Sequence, residues 1–369
     1  MQSQTEYVES LSPWPKDGFG LDRIKALLAE LGDPQLSYPS IHVVGTNGKS
    51  TVTRTIDALL TQAGLSAGAF LSPHVRSWSE RIRVRGEEAD FEAAIGAVRP
   101  QAENLGATQF ELLTAAALSA FAAAKVDVAV VEAGLVGRYD ATNVLRSPVQ
   151  VLTNVSLEHT DVLGTTREAI AAEKLAVVQP GATVVLCEAE WDELAREYGA
   201  GLVALSGPSN LALALTAAES FLGRPVDGHV EVELPGRLER VSEDPLEIWD
   251  GAHNLGWLGY LLPRLPSARY VVVASILGDK DVEGMLAALS ALGDRLVATT
   301  SGSARALSAA DLAERARPFF PEVEAITDPA EALAHARSLG EPLLVTGSLY
   351  LLADLAKDES LRWRTLATG

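Results

Sequence analysis

Ile41-His42-Val43-Val44-Gly45-Thr46-Asn47-Gly48-Lys49-Ser50-Thr51 decides the fold, because here a short apolar run enters a turn bounded by glycines. Such a turn exposes successive backbone N–H groups, which together with the N-terminus of the next helix can cradle phosphate oxygens. Lys49 would add a positive charge for the outer phosphates, and a hydroxyl at Ser50 or Thr51 would reach Mg²⁺. The strict P-loop pattern has a glycine five residues before its Gly-Lys pair, where this chain has Val43. The stretch predicts a variant phosphate-binding loop, with an ordinary strand-to-helix turn as the alternative.

Composition limits the classes of protein to which the chain can belong. It has 369 residues, which suggests about two domains. With 47% hydrophobic and 21% charged residues it can bury a full core, so an ordered globular protein is expected. The net charge is −19, whereas a protein that binds nucleic acid or an anionic membrane needs a basic face. We therefore expect small-molecule partners, no nucleic acid and no membrane.

The cysteine count and the apolar runs bear on the cellular compartment. Cys187 is the single cysteine of the sequence, which excludes an intramolecular disulfide and fits a reducing cytosol. No apolar run has the length of a membrane span, and the first residues lack the basic and then apolar pattern of a signal peptide. These features predict a cytoplasmic protein, and a monomer is the expected assembly.

Apolar runs alternate with alanine- and leucine-rich stretches along the chain. This alternation is typical of an α/β protein with a mainly parallel sheet. In the first part of the chain, the predicted strands are Ile41–Val44, Ala67–Leu71, Val126–Glu132, Val149–Val155 and Ala182–Cys187. The predicted helices there are Leu21–Leu31, Val52–Ala63, Phe110–Ala124, Thr166–Val178 and Asn210–Leu222.

A connector rich in glycine and proline covers residues 223–236 and is followed by a second α/β series. The predicted strands of this series are Leu246–Trp249, Tyr270–Ala274, Leu296–Thr299, Val323–Ile326 and Leu343–Thr346. The pattern predicts two α/β domains, at residues 1–230 and 231–369, with one continuous domain as the alternative.

Charged residues follow strands whose carboxyl ends would meet at one edge of the sheet, where doubly wound folds bind ligands. Glu132 ends a buried strand, where it would either hold Mg²⁺ or serve as a solvated strand end. The next residues, 133–143, contain two glycines, Arg138 and Asp140, which suit a loop wrapped around a ligand. His159 closes the following strand at the same edge and is a further candidate, although a lone histidine is more often structural.

Three further groups are weaker candidates. Ser72 and His74 follow the second predicted strand, where a hydroxyl and an imidazole would serve a metal or a substrate. Asp250 and His253 follow the first strand of the second series, where they would clamp a nucleotide or form an ordinary Asp-Gly turn. Lys174 lies on a predicted helix, and on pattern alone its Glu-Lys pair favours a solvated face.

Taken in order, these segments resemble one branch of the Mur ligase superfamily, the folylpolyglutamate synthases and dihydrofolate synthases, over nearly the whole chain. The resemblance is carried by Gly18–Leu21, Gly45–Thr51, Ser72–His74, Glu80–Ile82, Thr108–Glu111, Glu132–Asn143, Glu158-His159, Leu163-Gly164, Glu173-Lys174, Leu234–Arg237, Asp250–Asn254, Asp279–Asp281 and Thr346–Tyr350. No single segment is decisive, whereas the ordered set is specific. The chain departs from the family at Ser50 and Val136, where glycine is usual, and at Ser206–Ser209, which replaces a longer stretch.

The resemblance implies a P-loop-containing ATPase domain with a mainly parallel sheet and a smaller C-terminal, Rossmann-like glutamate-ligase domain. It also implies roles for individual residues. ATP would be bound by Asn47, Gly48, Lys49, Ser50, Asn210, Arg237, Asp250 and His253. One Mg²⁺ would be held by Thr51, Ser72 and Glu132, and a second metal by His159 and a carbamylated Lys174. The pterin substrate would contact Gly18, Phe19, Gly20, Leu21, Thr108, Phe110, Asp140 and Ala141. Lys49, Lys174 and His159 would be the catalytic residues.

The implied activity is an ATP-dependent amide ligase that adds L-glutamate to dihydropteroate, to a reduced folate, or to both, through an acyl phosphate. One alternative is a cell-wall Mur-type ligase. The Ser-Pro-His and Thr-Gln-Phe-Glu segments, and an ATP domain that starts without a separate UDP-binding domain, favour the folate branch over it. A non-ligating nucleotide-binding protein of the same fold is a second alternative, kept open by Ser50, Val136 and the shortened stretch. Glutamate-dependent phosphate release would separate a ligase from such a protein.

Overall fold

The computed structural model describes residues 2–15, 18–158 and 160–357, which divide into two compact units. The first unit runs to Pro73 and continues over Trp78–Val232, and the second comprises His74–Ser77 and the residues from Glu233 onwards. The short segment His74–Ser77 joins the second unit because Val75 packs in that unit's buried core and Arg76 forms an ion pair with Glu239. The predicted domains, residues 1–230 and 231–369, place His74–Ser77 in the first domain. The functional boundary between the two domains stays a prediction.

The first unit is built on one sheet. Its strands are β1 (Ser40–Val44), β2 (Ala67–Phe70), β3 (Ile82–Val84), β4 (Glu87–Glu88), β5 (Val128–Glu132), β6 (Val149–Leu152), β7 (Thr183–Leu186) and β8 (Leu202–Leu205). Within the described residues these eight strands lie in the order β4-β3-β2-β5-β1-β6-β7-β8. Strands β2, β5, β1, β6, β7 and β8 pair in parallel, and β3 and β4 add an antiparallel edge. The predicted mainly parallel sheet is confirmed, although β3, β4 and β8 were not predicted.

Helices cover both faces of this sheet. They are α1 (Gln4–Ser10), α2 (Asp22–Glu30), α3 (Lys49–Gln62), α4 (Phe91–Leu105), α5 (Gln109–Ala124), α6 (Thr160–Leu163), α7 (Arg167–Leu175), α8 (Asp192–Glu197) and α9 (Asn210–Leu222). One face packs against α3 and α9, and the opposite face packs against α2, α4 and α5 at one end and α7 and α8 at the other. Helix α3 begins at Lys49, before the predicted Val52, because Gly48 at φ +82° turns the chain directly into the helix.

The second unit is a smaller α/β unit with its own core. Its strands are β9 (Glu239–Glu243), β10 (Leu246–Trp249), β11 (Val271–Ala274), β12 (Arg295–Ala298), β13 (Glu322–Ala325) and β14 (Leu343–Thr346). Its helices include α10 (Leu255–Leu261), α11 (Val282–Leu289), α12 (Ala309–Ala316) and α13 (Pro329–Ser338). The strand order is β13-β12-β11-β14-β10-β9, parallel except for β9. The predicted second α/β series is confirmed. In the described part of the chain, no helix is both long and apolar enough to cross a membrane.

Candidate active site

The turn between β1 and α3 is held by the residues that follow β6. The side chain of Asn154 accepts a hydrogen bond from the backbone N–H of Asn47 at 3.1 Å and donates to its carbonyl at 3.0 Å. The Thr153 hydroxyl donates to the same carbonyl at 2.7 Å. Gly45 cannot carry a side chain here, because a Cβ would lie 1.9 Å from the Thr153 Oγ1. Sequence reasoning missed both residues; the available signal was that they follow β6, the strand next to β1 in the sheet.

Lys49 begins α3 and folds over its own turn. Its Nζ donates to the carbonyls of Gly45 and Thr46, each at 3.1 Å. The ammonium therefore lies where unpaired helix N–H groups and the helix dipole favour an anion. Asn210 lies against the turn, since a Cβ at Gly48 would meet its Oδ1 at 2.6 Å. The structure thus brings these predicted phosphate-binding residues together.

Glu132 ends β5 directly beside this turn. Its carboxylate is buried and accepts two hydrogen bonds of 3.0 Å, one to Oε1 from the Ser50 hydroxyl and one to Oε2 from the Ser72 backbone N–H. The predicted ligands Ser72 and Glu132 are therefore neighbours, and Thr51 lies half-buried in the first turn of α3.

The donor groups at this edge fit magnesium. Among the described residues, no group of three or more His, Cys, Asp or Glu side chains is arranged to hold a metal ion. One buried carboxylate with nearby hydroxyls is instead typical of Mg²⁺, which keeps several waters and is commonly held by one or two carboxylates and substrate phosphates.

Lys174, on α7, is buried rather than solvated, so the alternative of a solvated Glu-Lys face is wrong for this side chain. Its Nζ donates to the carbonyl of Leu135 at 3.4 Å. The pKa of Lys174 is lowered to about 7, mainly by burial and also by the charge of Lys49, against the opposing effect of nearby carboxylates. The ammonium is thus less stable relative to the neutral amine than on an exposed lysine.

The loop after β5 packs directly on α7. A Cβ at Gly137 would lie 2.1 Å from the carbonyl oxygen of Glu173, so only glycine permits this approach. The Glu173 carboxylate accepts from the backbone N–H of Arg138 at 2.9 Å. This contact buries the Lys174 face of the helix. The predicted metal ligand His159 lies outside the described residues.

Two predicted pterin-contacting residues converge over Gly134. A Cβ at Gly134 would lie 2.8 Å from Cζ of Phe110 and 3.2 Å from Oδ2 of Asp140. Asp140 is buried, and its Oδ1 accepts from the Thr142 hydroxyl at 2.6 Å and from the Thr142 backbone N–H at 3.1 Å. Burial raises the pKa of Asp140, whereas hydrogen bonds from Thr142 and Gly134 lower it. An aromatic edge and a carboxylate oxygen therefore meet at one point, and the next residue, Ala141, is buried.

Thr108 caps helix α5. Its hydroxyl accepts from the Glu111 backbone N–H at 3.4 Å, and the Glu111 carboxylate accepts from the Thr108 backbone N–H at 2.8 Å, which forms a capping box. The hydroxyl also donates to that carboxylate at 2.8 Å. Glu111 forms a 2.9 Å ion pair with Arg23 on α2, just after the segment Gly18–Leu21. In that segment Phe19 is exposed and lies edge-on to Trp14, with ring centroids 6.1 Å apart. A substrate contact for Thr108 or for the Gly18–Leu21 segment stays a prediction.

In the second unit, two of the three predicted ATP-binding residues, Arg237 and His253, contact Trp257. The Arg237 guanidinium lies 4.3 Å from the Trp257 ring centroid, and the His253 ring lies edge-on to that indole at 5.0 Å. Asp250 is buried and accepts from the backbone N–H of Ala252 at 2.9 Å and from that of Leu238 at 2.8 Å. Burial raises the pKa of Asp250, and the charge of Arg237 lowers it. Sequence reasoning missed Trp257, although its position four residues after His253 was an available signal.

Family profiles match both parts of the chain. The profile described as the Mur ligase middle domain matches residues 43–199. The profile described as the Mur ligase, glutamate ligase domain, matches residues 236–349. The first range contains the phosphate-binding turn, Glu132 and Lys174, and the second contains Arg237, Asp250 and His253.

Individual relatives are similar over most of the chain. The dihydrofolate synthase/folylpolyglutamate synthase of Mycobacterium tuberculosis is 36% identical, covering 83% of this chain and 80% of that protein. The structure of an Escherichia coli protein in complex with DHPP and ADP matches with a TM-score of 0.87 at 30% identity, over 98% of both chains. The structure of bifunctional folylpolyglutamate synthase/dihydrofolate synthase from Yersinia pestis, complexed with AMPPNP and Mn ion, matches with a TM-score of 0.84 at 31% identity, over 97% of this chain and 98% of that one. This chain belongs to the folylpolyglutamate synthase/dihydrofolate synthase family of the Mur ligase superfamily.

Proposed function

We propose that this protein is an ATP-dependent carboxylate–amine ligase that adds L-glutamate to dihydropteroate, to a reduced folate, or to both. The observation that carries the proposal is the position of Glu132, a buried carboxylate hydrogen-bonded to Ser50 on the phosphate-binding turn. The names of the relatives and the ADP, AMPPNP and DHPP in their structures support the same activity. No specific observation on the described residues favours the cell-wall ligase or the non-ligating protein.

The reaction proceeds in two transfers. A carboxylate oxygen of the pterin substrate attacks the γ-phosphorus of ATP, the bond to ADP breaks, and an acyl phosphate forms. The amine of glutamate then attacks the acyl carbon, the carbon–oxygen bond to phosphate breaks, and the amine loses a proton as the amide forms. The turn N–H groups and Lys49 bind the phosphates and stabilise the charge that develops during transfer. Positioning and charge stabilisation, rather than covalent chemistry, are the contributions of the protein.

Divalent metal would be bound by the residues around Glu132. Thr51, Ser72 and Glu132 would hold one Mg²⁺, and His159 with a carbamylated Lys174 would hold a second. When bound, Mg²⁺ neutralises charge on the transferring phosphoryl group.

Carbamylation of Lys174 rests on its burial beside Lys49. Two ammonium groups repel each other in this buried setting, whereas a neutral amine reacts with CO₂. The amine nitrogen bonds to the carbon of CO₂ and loses a proton, which leaves an anionic oxygen donor suited to Mg²⁺. Protein equilibrated with ¹³C-labelled CO₂ is expected to show a carbamate carbon signal by NMR that Lys174→Arg lacks. A wild-type sample without that signal, together with full activity for Lys174→Ala, would remove Lys174 from the site.

The remaining residues have binding roles in this proposal. Asn47, Gly48 and Ser50 line the phosphates, and Asn210 lies beside them against the turn. Arg237 and His253 would be ATP-binding residues, and Asp250 holds the backbone at Leu238 and Ala252. The pterin stacks on Phe110 and donates a hydrogen bond to Asp140, next to Ala141, Thr108 and the segment Gly18–Leu21.

The decisive experiment compares three acceptors. The protein is supplied with ATP, Mg²⁺ and L-glutamate, and separately with dihydropteroate, tetrahydrofolate or a UDP-muramyl peptide. Phosphate release and product mass are measured with and without glutamate. We expect glutamate-dependent release with dihydropteroate, tetrahydrofolate or both, and a product heavier by one glutamyl residue. Release with the UDP-muramyl peptide alone would assign the chain to the cell-wall branch, and ATP binding without any glutamate dependence would make it a non-ligating protein.

A further inference from the structure

A buried row of three polar side chains runs from strand β1 to the predicted pterin contact. His42 lies in the middle of β1 and is 1% exposed. Its Nε2 is 2.8 Å from the hydroxyl of Thr142, which is 2.6 Å from Oδ1 of Asp140. Neither His42 nor Thr142 has a role in the mechanism described above. The row therefore connects the interior of the sheet to one residue of the site.

The hydrogen bonds of this row have a single consistent direction. The Asp140 carboxylate accepts hydrogen bonds, including one from the Thr142 backbone N–H at 3.1 Å, so the Thr142 hydroxyl uses its one proton on Asp140. The hydroxyl oxygen then accepts, and His42 donates through Nε2–H. Burial lowers the pKa of His42 to about 4, so the ring is neutral near pH 7 and this is its required tautomer.

The row leaves the two oxygens of Asp140 with different surroundings. Thr142 binds Oδ1 twice, so rotation of the carboxylate would break both hydrogen bonds. Oδ2 lies on the Phe110 side, 3.2 Å from where a Cβ at Gly134 would be. Oδ2 is thus the oxygen beside the aromatic ring, and the Gly134 backbone N–H donates to the same carboxylate.

We propose that His42 is a positioning residue for pterin recognition, which holds the Thr142 hydroxyl on Asp140 and thereby presents Oδ2 to an N–H donor of a pterin ring. This inference rests on the proposed function, because it takes Asp140 as a substrate contact. The ligand class follows from the geometry: a flat heterocycle with an N–H donor at its edge satisfies Phe110 and Oδ2 together.

The neighbouring strand supplies a matched control. Gln150 on β6 pairs in register with His42, so both side chains lie on the same face of the sheet, and it is also 1% exposed. Its side chain donates to the backbone carbonyl of Val177 at 2.8 Å and accepts from the backbone N–H of Gln179 at 3.4 Å. Replacing Gln150 therefore removes an equally buried polar group whose hydrogen-bond partners are Val177 and Gln179 rather than Thr142 or Asp140.

The test compares His42→Leu, His42→Gln, Thr142→Val and Gln150→Leu in the ligation assay and in thermal unfolding. His42→Leu and Thr142→Val are expected to raise the KM for the pterin substrate about tenfold, because each removes a hydrogen bond of the row that orients the Asp140 carboxylate. The KM for ATP is expected to stay within about twofold of wild type. His42→Gln keeps an amide N–H near the position of Nε2, so it is expected to restore the pterin KM to within about threefold. Gln150→Leu is expected to lower the melting temperature without a change in the pterin KM.

Two results overturn the inference alone. One is a His42→Leu enzyme that ligates with an unchanged pterin KM, and the other is an equal rise in both KM values that His42→Gln fails to reverse. If His42→Leu does not fold, Thr142→Val decides by its effect on the two KM values, because it removes the hydroxyl that links His42 to Asp140 with little change in volume. A wild-type protein that ligates no pterin acceptor overturns the proposed function itself, which distinguishes the two failures.

Discussion

Each unit of this protein has a buried carboxylate at the end of a strand, and the two carboxylates are held in different ways. Glu132 in the first unit accepts one hydrogen bond from the Ser50 hydroxyl and one from the Ser72 backbone N–H. Asp250 in the second unit accepts from two backbone N–H groups, those of Leu238 and Ala252. The hydroxyl can rotate and accept a hydrogen bond instead of donating one, whereas a backbone N–H only donates.

This difference separates a site residue from a residue that shapes the backbone. One partner of Glu132 is the Ser50 hydroxyl on the phosphate-binding turn. This hydrogen bond can persist when the carboxylate is replaced by a neutral group, because the hydroxyl can either donate or accept. Asp250 fixes the backbone at Leu238, which has the left-handed φ of +48° that a leucine rarely adopts. We infer that Glu132 serves the ligand and that Asp250 mainly holds the chain around Arg237.

The largest expected effect is that of removing the Lys49 ammonium from the phosphate-binding turn next to Glu132. Lys49→Ala removes the ammonium at the start of α3, and we expect kcat/KM for ligation to fall by about 10²–10³-fold because charge stabilisation of the transferring phosphoryl group is lost. The Lys49 side chain donates hydrogen bonds to the carbonyls of Gly45 and Thr46, which belong to its own turn. The melting temperature is therefore expected to stay near that of wild type. Lys25→Ala, at an exposed position on α2, is the matched control. Near-normal turnover of Lys49→Ala would contradict the phosphate-binding assignment.

The second prediction concerns Glu132 itself. In Glu132→Gln the amide oxygen can accept from Ser72 and the amide nitrogen can donate to Ser50, so we expect little change in thermal stability. The loss of the negative charge is expected to weaken Mn²⁺ binding, measured by electron paramagnetic resonance with AMPPNP present, by about 10–100-fold. A variant with unchanged Mn²⁺ affinity but a strongly lowered melting temperature would place Glu132 in the same class as Asp250.

The parts of this site that were predictable from the sequence are those encoded by local patterns. The Gly45–Thr51 turn, the carboxylate that ends β5 and the loop after it are each contiguous, and the alternation of elements predicts that strand ends meet at one edge. The parallel sheets of both units follow from the same alternation.

The remaining features depend on contacts between distant residues. Asn154 holds Asn47 across 107 residues, and no periodicity in either segment indicates this pairing. Lys174 has the pattern of a solvated helix face, yet the loop around Gly137 covers it because glycine permits a close approach. The segment His74–Ser77 packs with the second unit although it follows a strand of the first.

The third prediction asks whether Phe110 contributes to binding of the pterin substrate and not to binding of ATP. Phe110→Ala removes a half-buried ring beside Asp140, and we expect the KM for the pterin substrate to rise about tenfold through lost stacking, with the KM for ATP unchanged. Phe70 provides the control, since its fully buried ring lies 5.9 Å from that of Phe110 and Phe70→Leu should affect mainly stability. If Phe110→Ala weakens both substrates equally and lowers the melting temperature, the ring is a core residue.

The smallest expected effect on activity is that of Asp250→Asn. Each carboxylate oxygen accepts a backbone N–H, so an amide nitrogen at either position faces another donor and one hydrogen bond is lost. We expect the free energy of unfolding to fall by about 1–3 kcal/mol, measured by urea denaturation, because a buried donor is left without an acceptor. The KM for ATP is expected to rise only about threefold, through displacement of Arg237 from Trp257 rather than loss of a direct contact. Unchanged stability with a hundredfold higher KM for ATP would show instead that Asp250 contacts the nucleotide directly, and the two carboxylates would then both be ligand-binding groups.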